Sequence, residues 1–232
     1  MVIVDKDLGE IRLVKNARAK RIIVRKKDGY LQLTYPPSVS MSFVEKTIRD
    51  MKPRLMSLVE KKTTGILFTP DIEFNTFSFT LKLITGTSTK NYYMSLKEGV
   101  LSISCPADIN YNDSTVQSTI KGFVEKALRY EANRLFPAKV KSFAERYDFK
   151  YTEVKINKSR TRWGSCSSKK TINLSFYCML LPEYLVDFVI LHELCHTVEM
   201  NHGERFWQLL DKVSDDKAKE LTKALKDHKT ML

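Results

Sequence analysis

Three of the chain's four histidines, His192, His196 and His202, fall within eleven consecutive residues. Residues four apart on a helix share a face and lie about 6 Å apart along its axis, so His192 and His196 can reach one ion. Neutral imidazoles suit zinc, and a catalytic zinc site has three protein ligands and one open position. Glu193 lies one residue further round the helix, where its carboxylate can take a proton from water and return it to a leaving amine. The spacing therefore predicts one zinc ion and amide hydrolysis, with Glu193 as general base.

The third metal ligand must come from beyond the straight part of this helix. Asn201 and Gly203 flank His202 and tolerate the left-handed conformations that end helices, so the chain can turn back towards the ion. Three carboxylates are the alternatives: Glu199, Glu204 and Glu220. We predict His202 on ligand type and geometry. A closed structural site with four ligands is a further possibility, but Cys195 points away from the ligand face and is not an obvious fourth ligand.

Three further motifs accompany the histidines. They are Arg-Trp-Gly-Ser-Cys-Ser-Ser at 162–168, Ile-Asn-Leu at 172–174 and Asn-His-Gly-Glu-Arg-Phe-Trp at 201–207. Together with His-Glu-Leu-Cys-His, they resemble the YgjP-like metallopeptidase family, which is related to the SprT-like and WLM-like zinc peptidases. The resemblance is specific over about residues 155–215 and weaker before them. It implies a zinc peptidase with a peptide or protein substrate, and the same zinc ligands and general base that the spacing predicts.

The apolar pattern predicts an α+β chain that positions these residues. Segments 27–36 and 97–106 each contain an acidic-Gly turn, an alternating strand and a closing proline, and a helix with a similar core follows each. This indicates a duplicated hairpin–helix unit within a basic, β-rich region, residues 1–110. Residues 111–232 form the second predicted domain, which the resemblance makes zincin-like. Pro182 opens its active-site helix, because the fixed φ of proline fits the first helical turn.

A strand is predicted at Thr171–Phe176, just before the active-site helix. We expect an edge strand, with which a peptide can pair and so present its carbonyl to the metal; the alternative is an internal strand. Trp163-Gly164 is interpreted as a tight turn. The oxyanion donor that such a reaction needs is left open among three candidates: Tyr177, Arg205 and His228.

The composition excludes several classes of protein. The chain is 43% hydrophobic and 28% charged, which is typical of a globular protein and not of a disordered or collagen-like one. It has no apolar run of the roughly 20 residues that span a membrane, and no apolar signal peptide. We therefore expect a cytoplasmic protein with no membrane partner. Four cysteines are expected to be reduced: Cys105, Cys166, Cys178 and Cys195.

The chain is strongly basic, with 39 Lys and Arg against 27 Asp and Glu and a net charge of +12. Residues 15–27 hold seven basic and no acidic side chains, and a second basic stretch runs from 150 to 170. These stretches can contact nucleic-acid phosphates without reading sequence. Solvated strand faces explain them about as well, because no aromatic platform is interleaved. The alternative function is therefore a nucleic-acid-associated basic protein with a structural or vestigial metal site. The sequence does not indicate an oligomeric state.

Overall fold

A computed structural model describes residues 1–27, 29–60, 66–87, 90–228 and 232. Contacts between Cα atoms divide the chain into two compact units, Met1–Gly65 and Ile66–Leu232. Both units contain strands and helices, so the predicted α+β class is confirmed. Within the described residues, no helix combines the length and the apolar character that a membrane crossing requires.

The first unit is a four-stranded sheet with two helices. Its elements are β1 (Val2–Asp5), β2 (Gly9–Lys15), β3 (Ile23–Lys27), β4 (Tyr30–Tyr35), α1 (Met41–Asp50) and α2 (Lys52–Glu60). The strand order is β1-β2-β4-β3, with β4 parallel to β2 and antiparallel to β3. Leu31 and Leu33 alternate along β4 on the face that packs against Val44 of α1. The side chain of Ser40 accepts a hydrogen bond from the amide of Phe43 and so caps α1.

The second unit contains two three-stranded sheets with the same strand order. Its strands are β5 (Thr80–Thr87), β6 (Tyr93–Lys97), β7 (Val100–Pro106), β8 (Glu153–Asn157), β9 (Gly164–Cys166) and β10 (Thr171–Ser175). In each sheet the last strand is central, parallel to the first and antiparallel to the second. Glu98 and Gly99 join β6 to β7 with φ values of 48° and 74°, as a two-residue hairpin turn requires. Asp28, in the matching turn of the first unit, lies outside the described residues.

The prediction that Thr171–Phe176 is an edge strand is wrong. The strand β10 lies between β8 and β9 and pairs with both, so no peptide can be added to either side of it. The edge beside it is β9, and Gly164, predicted to form a tight turn with Trp163, is the first residue of that strand. An alternating pattern has the same period in a central and in an edge strand, so the sequence of β10 alone could not distinguish the two.

The helices of the second unit surround one apolar helix. They are α3 (Ser114–Arg146), a short 3-10 helix (Phe176–Leu180), α4 (Glu183–Cys195), α5 (Glu204–Val213) and α6 (Ala218–Asp227). Most side chains of α4 are buried, and they share one hydrophobic core with β7, α3 and β10. This shared core places residues 66–110 in the second unit, whereas the sequence suggested a boundary near residue 110. The division into a β-rich region at 1–110 and a zincin-like domain at 111–232 stays a prediction.

Candidate metal centre

The end of α4 and the start of α5 bring three imidazole rings together. His192 lies in the last turn of α4, His196 caps that helix, and His202 lies two residues before α5. One ring nitrogen of each lies within 4.8 Å of the others, and the Nε2 atoms of His192 and His202 are 3.0 Å apart. No carboxylate belongs to this cluster among the described residues. The structure therefore brings together the three predicted ligands and leaves the predicted alternatives outside.

The charge state of these rings suits a metal ion. Burial, reinforced by the other two histidines, lowers the pKa of His192 to about 4. Burial also lowers the pKa of His196. Both rings are therefore neutral near pH 7, and zinc binds the neutral imidazole. Three imidazole nitrogens converging on one point are a donor set that fits zinc.

A backbone contact sets the orientation of His196. Its Nδ1 atom lies 3.0 Å from the carbonyl oxygen of Glu199. When Nδ1–H donates to this oxygen, the lone pair of Nε2 stays available for a metal. Glu199, considered from the sequence as a ligand, thus contributes through its main chain.

Phe206 packs against all three histidines. Its ring centroid lies 4.5 Å from that of His196, with the planes nearly parallel, 4.9 Å from that of His192 and 4.6 Å from that of His202. The side chain is 0% exposed. The sequence alone does not indicate this role for Phe206, because its helical spacing with Leu210 and Val213 is equally typical of an ordinary core. In the structure it holds the three rings in place.

Phe206→Leu is expected to lower zinc affinity by about tenfold or more, because the hydrophobic shell of a metal site fixes the orientation of its ligands. The measurement is competition with a metallochromic chelator, alongside thermal unfolding. Phe136→Leu is the matched control, since Phe136 is also 0% exposed but lies in α3. It should lower stability and leave zinc affinity unchanged. Equal zinc affinities for the two variants would show that Phe206 only fills space.

The side chain of Glu193 is buried beside β9. Its side chain is 6% exposed, and burial raises the pKa of its carboxyl to about 8. A Cβ atom placed on Gly164 would lie 2.7 Å from both Cγ and Oε1 of Glu193. Only glycine therefore leaves room for this carboxylate. The sequence alone did not predict this role, although Gly164 lies in the motif at 162–168.

One oxygen of the Glu193 carboxylate indicates that a further group binds at this site. Oε2 of Glu193 is buried and has no hydrogen-bond partner among the described residues. An unpaired buried oxygen is costly, so such an atom calls for a bound partner. Like the three histidine nitrogens, this oxygen fits a site that holds a metal ion and its bound water.

Two cysteines near the carboxylate are unsuited to bind the metal. Burial, with a further contribution from the charge of Glu193, raises the pKa of Cys166 to about 11 and raises that of Cys178 as well. Cys178 donates a hydrogen bond to the carbonyl of Trp163, with its sulfur 3.2 Å from that oxygen. Thiols held in the protonated form are poor ligands. All four cysteines of the chain are free, as the sequence predicts.

Tyr177 is excluded as the oxyanion donor that the sequence offered beside Arg205 and His228. Its hydroxyl donates its one proton to Glu125, at 2.7 Å, and accepts from Arg160, at 3.0 Å. The side chain is fully buried. A hydroxyl whose proton is already used has none to give to a substrate oxygen.

Comparison with known proteins adds three findings. A model of the YgjP-like metallopeptidase domain matches residues 20–228 of this chain. Among solved structures, the metallopeptidase zymogen of Pyrococcus abyssi abylysin is similar, with 21% identity, a TM-score of 0.36, and coverage of 39% of this chain and 91% of that one. The comparison with curated proteins gives no match.

Proposed function

Since this chain belongs to the YgjP-like metallopeptidase family, we propose that it hydrolyses peptide bonds at one zinc ion held by His192, His196 and His202. Glu193 is the general base in this proposal. The observation that carries it is the convergence of three imidazole nitrogens within 4.8 Å, next to a carboxylate from the same helix. The family match favours this function over a nucleic-acid-associated protein with a vestigial metal site.

Proton transfer is the task of Glu193. Zinc, when bound, polarises a peptide carbonyl and lowers the pKa of a water molecule from about 16 to about 7. The carboxylate of Glu193 accepts a proton from the attacking water and later delivers it to the leaving amine nitrogen. Its burial favours the protonated form, so the group is a stronger base than an exposed glutamate.

The substrate is proposed to pair with β9. This strand is the outer member of the sheet β8-β10-β9, and its first residue, Gly164, borders the carboxylate of Glu193. A peptide added along Gly164–Cys166 would form main-chain hydrogen bonds that depend little on its side chains. This edge replaces β10, which the sequence suggested.

The test of the proposed function is zinc-dependent cleavage of an unfolded protein such as reduced casein. The metal-depleted chain should be inactive, and stoichiometric zinc should restore cleavage. His202→Ala should bind zinc at least tenfold more weakly and lose cleavage, because a three-ligand site loses one ligand. His228→Ala is the matched control for zinc binding, since His228 is the one histidine outside the cluster, and it should bind zinc as the unchanged chain does. Cleavage that survives metal removal, or an equal loss of zinc affinity in His228→Ala, would contradict the proposal.

Two further proposals concern the whole chain. We propose that the protein acts in the cytoplasm, which its four free cysteines support. We also propose that the hairpin–helix unit is duplicated. The support is that β3–β4 and β6–β7 are both antiparallel hairpins, and that a helix is the next element in each case.

A further inference from the structure

The positive charge of the chain is concentrated in its first unit. Residues 1–65 contain 15 Lys and Arg against 7 Asp and Glu, a surplus of 8. Residues 66–232 contain 24 against 20, a surplus of only 4. The unit without the metal site therefore carries most of the net charge of +12. A surplus so localised indicates a surface for a polyanion.

The structure places the basic segment, residues 15–27, along one side of the sheet. It includes the last residue of β2, the connection that follows and the whole of β3, which is an edge strand. Its charged side chains are all exposed: Lys15, Arg18, Lys20, Arg21, Arg25, Lys26 and Lys27. In the described part of this unit, Glu10 forms an ion pair with Arg12, and Asp5 and Asp7 form ion pairs with Lys52. These three carboxylates therefore each have a cationic partner outside the basic segment.

A cavity of about 410 Å³ lies where β3 ends. The turn between β1 and β2 and the hairpin of β3 and β4 enclose it, and Lys6, Lys26, Lys27 and Tyr30 are among its lining residues. The one acidic lining residue described, Asp7, forms an ion pair of 2.7 Å with Lys52. The cavity thus continues the positive charge of β3 and adds an aromatic ring to it.

The tyrosine distinguishes this surface from a simple charged face. The guanidinium carbon of Arg12 lies 3.9 Å from the centroid of the Tyr30 ring, so a cation lies over one face of this aromatic ring. Unpaired bases stack on such groups while lysines contact the phosphates. The cavity is large enough for one nucleotide, and the adjoining β-strand can contact phosphates. Single-stranded nucleic acid therefore fits this surface better than a duplex, because the bases of a duplex are paired and cannot enter the cavity.

We propose that the first unit binds single-stranded nucleic acid, with phosphates along the basic segment and one nucleotide in the cavity beside Tyr30. This binding goes beyond the peptidase function and uses no residue of the metal centre. The binding should not depend on the base sequence of the nucleic acid, because the contacts are to phosphates and to the faces of bases.

The test is fluorescence anisotropy of the full chain with a labelled 20-nucleotide oligo(dT). We expect affinity to fall steeply with salt, with a logarithmic slope of about −0.7 for each phosphate contacted. The triple variant Arg21→Ala, Arg25→Ala, Lys27→Ala should bind at least tenfold more weakly and make this slope shallower by about 2. Tyr30→Leu should weaken binding several-fold and leave the slope unchanged.

The matched control removes the same charge from another surface. Lys219→Ala, Lys223→Ala, Lys226→Ala takes three exposed lysines from α6 and should leave the affinity for oligo(dT) within about twofold. Both triple variants should cleave casein as the unchanged chain does, which separates this proposal from the peptidase function. An equal loss of oligo(dT) affinity in the two triple variants would overturn the proposal, because binding would then depend on total positive charge and not on the basic segment. Binding to vesicles containing phosphatidylserine but not to oligo(dT) would overturn it in favour of a membrane surface.

Discussion

Glu193→Gln is expected to lower kcat/KM for peptide hydrolysis by about 10²- to 10⁴-fold, the usual contribution of a general acid–base group. Glutamine keeps the shape of the side chain but cannot accept the proton of the attacking water. Zinc binding should change little, because the carboxylate is not part of the cluster of three nitrogens. The measurements are kcat/KM with a quenched fluorescent peptide and zinc content by mass spectrometry.

Glu220→Gln is the control for this prediction. Glu220 was an alternative ligand by sequence, and it lies exposed on α6. Its variant should hydrolyse the peptide as well as the unchanged chain. If Glu193→Gln retained full activity with zinc bound, another group would have to be the base.

Gly164→Ala is expected to reduce kcat/KM by about 10- to 10³-fold without removing zinc. The added methyl group would lie 2.7 Å from Cγ and Oε1 of Glu193 and 2.9 Å from Cδ, which is closer than carbon atoms pack. Either the carboxylate or β9 has to move, and a displacement of about 1 Å at a reacting group can cost about 10²-fold. The same peptide assay and zinc analysis measure the effect.

A control and a double variant locate the cause of that loss. Gly122→Ala makes the same chemical change within α3, where nothing lies within 4 Å of the new atom, and should leave activity unchanged. Glu193→Asp shortens the carboxylate side chain, so adding Gly164→Ala to it should cost little more. Fully additive losses would show that Gly164 acts on something other than Glu193.

The centre of the site could be predicted because its determinants are local. His192 and His196 are one helical turn apart, and the residues around His202 end a helix, so spacing and residue type were enough to bring the three rings together. Spacing and residue type could not predict which residues contact Glu193. The contact between Glu193 and Gly164 joins residues 29 positions apart and depends on the strand to which Gly164 belongs.

Sheet position was the main property that the sequence did not determine. The alternation of β10 correctly indicated a strand, but its parallel neighbour comes from residues 153–157, and parallel pairing between separate segments leaves no local pattern. Its antiparallel neighbour, residues 164–166, includes Gly164, which the sequence assigned to a turn. Tyr177 illustrates the same difficulty for side chains. Its position beside β10 suggested a role in the reaction, whereas its hydroxyl proton is used by Glu125 on α3.

The three imidazoles come from two separate segments of the chain, the end of α4 and the loop that leads into α5. A cation shared by them acts as a cross-link, and a ligand that binds only the native state raises native stability by mass action. If zinc binds as proposed, its depletion would remove a cross-link between these two segments as well as the catalytic metal. The abundance of the protein in a cell should then follow the supply of zinc, since a loosened chain is the preferred target of other proteases.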